Sequence, residues 1–155
     1  MSRFDAPIAE QIWDMKYRFR EADGTPIDGS VEDSWRRIAR ALAEPEADPA
    51  RWEQPFYEAL EDFRFLPAGR ITAGAGTGRQ VTLFNCFVMG TIPDTMAGIF
   101  DALKEAALTM QQGGGIGYDF STIRPRGAEV KGVAADASGP LSFMDVWDAM
   151  CRTIM

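Results

Sequence analysis

The 155-residue chain has no histidine, two cysteines, three lysines and a single asparagine, Asn85. Without histidine, most zinc sites and every His-based nucleophile triad are excluded. Cys86 and Cys151 form neither a metal-ligand pair nor a disulfide framework, so the chain reads as reduced and cytoplasmic. Sixteen basic residues stand against 23 acidic ones, a net charge of −7. Binding to a nucleic acid polymer through counterion release needs clustered Lys and Arg, so that partner class is set aside. No run approaches the roughly 18 apolar residues of a membrane span, and Met1–Pro7 lacks the charged and apolar regions of a secretory leader. No membrane partner is expected.

Two phosphate motifs also fail. The lysines Lys16, Lys104 and Lys131 lack the glycine spacing of a phosphate loop. Gly74-Ala75-Gly76-Thr77-Gly78 lacks the two residues needed before a third glycine, and an extended run follows it instead of a helix.

What is present fits a globular protein with a sizeable core, 46% of its residues being apolar. Ile8, Ile12, Met15 and Phe19 recur at helical spacing and predict a first helix with one inward stripe, closed by the turn Asp23-Gly24-Thr25-Pro26. Ser30 and Asp33 pair as a capping box for a second helix, with Val31, Trp35, Ile38 and Leu42 on its core face. After a polar linker, Trp52, Phe56, Leu60 and Phe63 predict a third helix, interrupted or kinked at Pro55.

From Phe65 the character changes. Leu66–Arg70 and Gly74–Arg79 read as loops, and Val81–Met89 as an extended run carrying Cys86 on a buried strand. Pro93-Asp94 opens a helix to about Gln111, with Asp94 as N-cap and Met96, Ile99, Leu103, Ala107 and Met110 inward. Ile116–Phe120 is a strand or a tight loop. After the segment 133–139, Pro140 begins a last helix that runs to the chain end without a C-cap, which suggests a sequence stopping in mid-domain. The expected organisation is a helical region over 1–64 and a mixed α/β region over 65–155.

Cys86 is open to two readings, since a free cysteine often serves as a small buried hydrophobe. Gly113-Gly114-Gly115 with Gly117 is equally open: a helix C-cap, or bare amides that approach an anion with help from Arg124 and Arg126.

Taken in order, Phe65-Leu66-Pro67-Ala68-Gly69-Arg70, Asn85-Cys86, Gly113-Gly114-Gly115-Ile116-Gly117 and Ile123-Arg124-Pro125-Arg126-Gly127 resemble the N-terminal part of ribonucleotide reductase large chains. Trp13–Phe19 and Ser138–Met144 are similar to the adenosylcobalamin-dependent (class II) branch. That resemblance implies an α+β/α/β protein, a helical region leading into the first strands of a ten-stranded α/β barrel. It implies conversion of ribonucleotides to deoxyribonucleotides by thiyl-radical chemistry, with Cys86 as one of the two reducing cysteines. The radical cysteine of the family sits in an Asn-x-Cys-x-Glu loop, which a chain whose one asparagine is Asn85 does not contain. Cys86's redox partner in the family lies downstream, and Cys151 does not match it, so catalytic incompleteness is expected.

By the same resemblance Gly114 and Gly115 give backbone contacts to the substrate phosphates and Asn85 faces the substrate ribose, while Asp94 lies at the ribose of a deoxynucleoside triphosphate effector and Arg124 at its phosphates. Adenosylcobalamin, bound mainly by other parts of the enzyme, a dithiol or thioredoxin-like reductant and a homodimeric partner, with the helix after Asp94 on the dimer face, are implied with them. Ala68-Gly69 departs from the Ser or Thr of many relatives, so no substrate contact is assigned there. The few residues before Ile8 leave no room for an activity-regulating domain, so on/off control by ATP is not implied. Two other readings remain: a deoxynucleotide-binding or dimerisation module without catalysis, and a small α+β protein whose glycine loops only turn corners.

Overall fold

The computed structural model describes residues 3–132 and 135–154; the predicted loop at Val133-Ala134 and the helix end at Met155 lie outside them. The chain divides into two compact units, Met1–Phe84 and Asn85–Met155.

The first unit is built on α1 (Pro7–Lys16), α2 (Val31–Ala43), α3 (Pro49–Leu60) and α4 (Gly69–Gly74). In α1 the expected inward stripe is turned outward: Ile8 and Met15 are 60% and 65% exposed, and Trp13 enters the core instead. Helical spacing shows which residues share a face but not which face is covered. Trp13 offers the larger apolar area, and its indole N–H is satisfied inside by Ser34 Oγ at 3.0 Å. Phe19 falls beyond the helix, beside the turn that an Arg20–Pro26 bridge closes.

The capping box of α2 is formed as expected, Ser30 Oγ accepting from Asp33 N and the Asp33 carboxylate accepting from Ser30 N. Val31, Trp35 and Ile38 are buried along it. α3 continues through Pro55 as one helix. It ends in a 3₁₀ turn, Glu61–Phe63, where Asp62 and Phe63 adopt positive φ. That strained pair is held by packing, because the Phe63 ring lies 5.1 Å from Trp35 and 5.3 Å from Phe4.

The stretch expected as loops contains α4. Its first turn is closed by Ile71 N and Thr72 N donating to Ala68 O, and Ile71 and Ala75 pack into the helical core. The first unit therefore extends past the change of composition at Phe65. Its polar centre is Asp28, whose Oδ2 accepts from Arg37 Nη2 (3.0 Å), Arg37 Nε (3.2 Å), Ser34 Oγ (2.6 Å) and Phe19 N (3.1 Å). Arg37 also donates to the carbonyls of Ala75 and Thr72, and so fixes the glycine turn after α4. A Cβ on Gly76, at φ +71°, would lie 2.9 Å from Arg37 O, so that turn requires glycine.

The second unit contains β1 (Cys86–Val88), α5 (Met96–Gln111), β2 (Gly115–Gly117) and α6 (Pro140–Ile154). The extended run is thus a strand for three residues only. β1 and β2 pair in parallel, Cys86 with Gly115, Phe87 with Ile116 and Val88 with Gly117, and α5 connects them. Ile92, Ile99, Ala102, Ala106, Ile123 and Trp147 form the core. Met96, expected inward, is exposed because it occupies the first helical position, outside the stripe of Ile99, Ala102 and Ala106. Pro140 begins α6 as its fixed φ favours. Trp147 lies edge-on to Tyr118 and Phe120, at 5.5 and 5.2 Å. No helix among the described residues is long and apolar enough to cross a membrane.

Candidate functional site

The second unit brings Asn85, Cys86, Gly114 and Gly115 together. Strand pairing places Gly115 beside Cys86, and Gly115 N donates to Asn85 O at 2.8 Å. A Cβ on Gly115 would lie 3.2 Å from Cys86 Sγ. One residue earlier, a Cβ on Gly114 would come within 2.6 Å of the Phe87 ring. Glycine is required at 114 for that close approach.

Cys86 is exposed, contrary to the buried strand expected, and Cys86 and Cys151 are both free thiols. The reason lies in the sheet. Phe87 and Ile116 turn toward α5 and the core, whereas Cys86 and Val88 take the opposite face, where Val88 is 98% exposed. Cys151 is half-buried on α6, its thiol 3.5 Å from Met110 Sδ.

The amide-lined anion cradle considered for the triple glycine is not formed. Gly113 N donates to Met110 O, Gly114 N to Thr109 O and Gly115 N to Asn85 O, at 2.8, 3.1 and 2.8 Å. These amides close the end of α5 and start the sheet, leaving none of the three aimed at an external anion. Gly113, at φ +85°, supplies the left-handed turn that ends many helices.

Asp94 and Arg124 form a second group. Asp94 Oδ2 accepts from Arg124 Nε at 2.8 Å and Oδ1 from Arg124 N at 3.2 Å, while Arg124 Nη2 returns to Asp94 O at 3.1 Å and Nη1 reaches Glu129 O at 3.2 Å. The backbone N–H of Arg124, its side-chain hydrogen bond and its charge hold the Asp94 carboxyl below the ordinary 3.8. Asp94 is therefore not the N-cap of α5. Thr95 takes that position, its Oγ1 accepting from Gly98 N at 3.1 Å, because the carboxylate is drawn to a charged partner thirty residues downstream. Thr122 Oγ1 donates to Ile92 O at 2.8 Å and ties the same two segments together.

A cleft of about 870 Å³ opens beside this pair, lined by Asp94, Met96, Ile99, Arg124, Lys131 and Phe143 among others. A smaller one of about 420 Å³ lies beside Arg126, Ser138 and Ser142. Cys86 lines neither. The residues gathered from sequence thus fall into a thiol strand and an ion-paired cleft. Sequence reasoning missed Thr95 and Lys131; the preference of threonine for N-caps was the available signal for the first, and nothing marks the second. Among the described residues, no three His, Cys, Asp or Glu side chains gather as a metal site.

Residues 3–80 match the family model of the ribonucleotide reductase all-alpha domain, and residues 84–155 that of the ribonucleotide reductase barrel domain. The ribonucleoside-diphosphate reductase subunit alpha of Helicobacter pylori is 34% identical over 131 residues, 84% of this chain and 16% of that protein. The vitamin B12-dependent ribonucleoside-diphosphate reductase of Mycobacterium tuberculosis is 35% identical over 144 residues, 90% of this chain and 20% of the relative. Its namesake in Thermoplasma acidophilum is 31% identical over 149 residues, 96% and 18% of the two chains. The chain spans between a sixth and a fifth of the length of these relatives. The helical first unit and the strand–helix–strand opening of the second agree with the two matched domains, and the chain belongs to the ribonucleotide reductase large-chain family.

Proposed function

We propose that these residues form the N-terminal part of an adenosylcobalamin-dependent ribonucleotide reductase, with the opening strands of its ten-stranded barrel, and that Cys86 is one of its two reducing thiols. The observation that carries the reading is an exposed free thiol on the first strand of the matched barrel domain, flanked by glycine on the paired strand. In the reaction, two thiols become one disulfide and release two electrons and two protons. The ribose 2′-hydroxyl leaves as water and its carbon gains hydrogen. The second thiol is assigned to another part of the enzyme, because Cys151, on α6 with its thiol against Met110 of α5, does not match the family's second reducing cysteine. Asn85 directly precedes the thiol and is assigned to the ribose, and Gly114 and Gly115 serve the substrate by lacking side chains, since their amides are used internally. A thioredoxin-like dithiol then returns the disulfide to thiols.

Cobalamin chemistry supplies the thiyl radical in this reading. The residues present do not fit that group: neither cleft borders Cys86, and the chain has no histidine, the commonest metal ligand. The cofactor is assigned to other parts of the enzyme.

The Asp94–Arg124 cleft is assigned to a deoxynucleoside triphosphate effector. Each Asp94 oxygen takes one bond from Arg124 and keeps a lone pair for a ribose hydroxyl, and the contacts above engage three of the five guanidinium N–H groups, leaving two for phosphate. Met96, Phe100 and Leu108 are exposed along α5, which suits the homodimer face proposed there. Isothermal titration with deoxynucleoside triphosphates tests the assignment: binding to the chain that is lost in Asp94→Ala is expected, and no binding to the unmodified chain overturns it. The second reading, an effector-binding or dimerisation module without catalysis, rests on both members of this pair lying within 31 residues of one unit. It predicts the same binding together with unimpaired reductase turnover when Cys86 is replaced.

A further inference from the structure

We propose that Arg3 and Phe4 form a latch that holds the strained turn after α3 closed, so that the course of the chain from Asp62 to Ala68 depends on these two side chains. The turn carries two successive non-glycine residues in the left-handed region, Asp62 at φ 55° and Phe63 at φ 57°. Aspartate tolerates that region, whereas a bulky residue such as Phe63 stays there only when its surroundings enforce it. Two groups do so. From within the helical core, Trp35 meets the Phe63 ring edge-on at 5.1 Å. From the segment before α1, the Phe4 ring lies 5.3 Å from Phe63 and 5.7 Å from Trp13, and so bridges the turn to α1. Beside it Arg3 pairs with two carboxylates, Glu32 in the first turn of α2 at 2.8 Å and Asp62 in the strained turn itself. One short segment thereby touches α1, α2 and the turn. The groups of both ion pairs are partly exposed, and exposed pairs contribute little each, so Phe4 supplies most of the hold and Arg3 directs where it docks. Phe4 is only half-buried, whereas Trp13 and Trp35 belong to the buried core. The latch is therefore the side of the turn that detaches without dismantling that core. Trimming of the residues before α1 opens it, and the turn then relaxes to negative φ, freeing the exposed Phe65 and Leu66 that follow.

The test is limited trypsin digestion of the 155-residue chain under native conditions, with cleavage after Arg64, exposed beside the turn, followed by mass spectrometry. Each rate is divided by that of a free peptide spanning residues 58–69 with the same sequence, which removes any effect of a substitution on the protease itself. Cleavage of a segment that opens and recloses quickly tracks its open population. Phe4→Ala is expected to raise the ratio about tenfold, equivalent to about 1.4 kcal/mol of lost closure. A chain trimmed to begin at Asp5 should show at least that rise, and Arg3→Ala a smaller one. Cleavage after the exposed Arg36 and Arg40 of α2 should not change. Asp62→Gly added to Phe4→Ala removes the side-chain cost at one of the two left-handed positions and should restore part of the protection. An unchanged ratio at Arg64 in Phe4→Ala overturns the proposal. So does equal acceleration at Arg64, Arg36 and Arg40, the mark of the whole unit unfolding, and so does the absence of any recovery with Asp62→Gly.

Discussion

Replacing Asp28 by alanine removes the centre of the first unit. Arg37 and Asp28 have only 9% and 4% of their side chains exposed, and the carboxylate accepts from four donor groups, two of them on that guanidinium. Loss of one partner from a buried pair leaves an uncompensated charge and costs about 3–5 kcal/mol. At about 0.05–0.15 kcal/mol per residue, the 84 residues of Met1–Phe84 hold about 4–13 kcal/mol in total. Asp28→Ala should therefore remove about a quarter or more of the unit's stability. With a urea slope of about 2 kcal/mol/M, the midpoint falls by about 2 M. Urea unfolding followed by tryptophan fluorescence measures this, with Trp147→Phe as background so that Trp13, Trp35 and Trp52 report the first unit alone. Two variants sharpen the result. Asp28→Asn keeps one acceptor oxygen and should lose less, and Asp28→Leu combined with Arg37→Met should recover most of the loss, as buried pairs replaced by apolar residues often do. A change in Asp28→Ala within about 0.5 kcal/mol, the range of an ordinary surface substitution, would refute the reasoning.

Gly114→Ala puts a methyl 2.6 Å from the Phe87 ring and should destabilise the second unit by about 1–3 kcal/mol, read from Trp147 fluorescence in urea. Gly78→Ala meets nothing within 4 Å but sits at φ +68°, so it should cost about 1–2 kcal/mol through the backbone alone. The Asp94 carboxyl is lowered in the folded chain, so its contribution is present above the ordinary 3.8 and is lost as pH falls through the folded value. Stability of the second unit should decline below about pH 4, and Asp94→Asn should flatten that part of the profile in denaturation series between pH 2.5 and 7.

Local signals in the sequence are legible where the partner is close along the chain. Ser30 and Asp33 lie three residues apart, and Pro140 sets its own backbone angle, so both helix starts were legible. The inward face of α1 is not legible because periodicity is indifferent to which face is covered, and Trp13 outcompetes Ile8 and Met15 through its area and its bond to Ser34. Asp94 looked like a cap because its true partner, Arg124, is thirty residues away. The triple glycine was open to both readings for the same reason: whether an amide is spent inside the fold depends on Asn85 O, which only the strand pairing brings near. The grouping of the candidate residues is not legible in the sequence. Nothing local says that Cys86 faces outward beside Gly115 while Asp94 and Arg124 close a separate cleft.

The most direct measurement is deoxyribonucleotide formation by the whole reductase containing these residues, comparing Cys86→Ser with the unmodified enzyme in the presence of ribonucleotide, adenosylcobalamin and a dithiol. Product formation should be lost in the variant, and the 155-residue chain alone should form none. Wild-type turnover by Cys86→Ser would contradict the assignment of Cys86 as a reducing thiol.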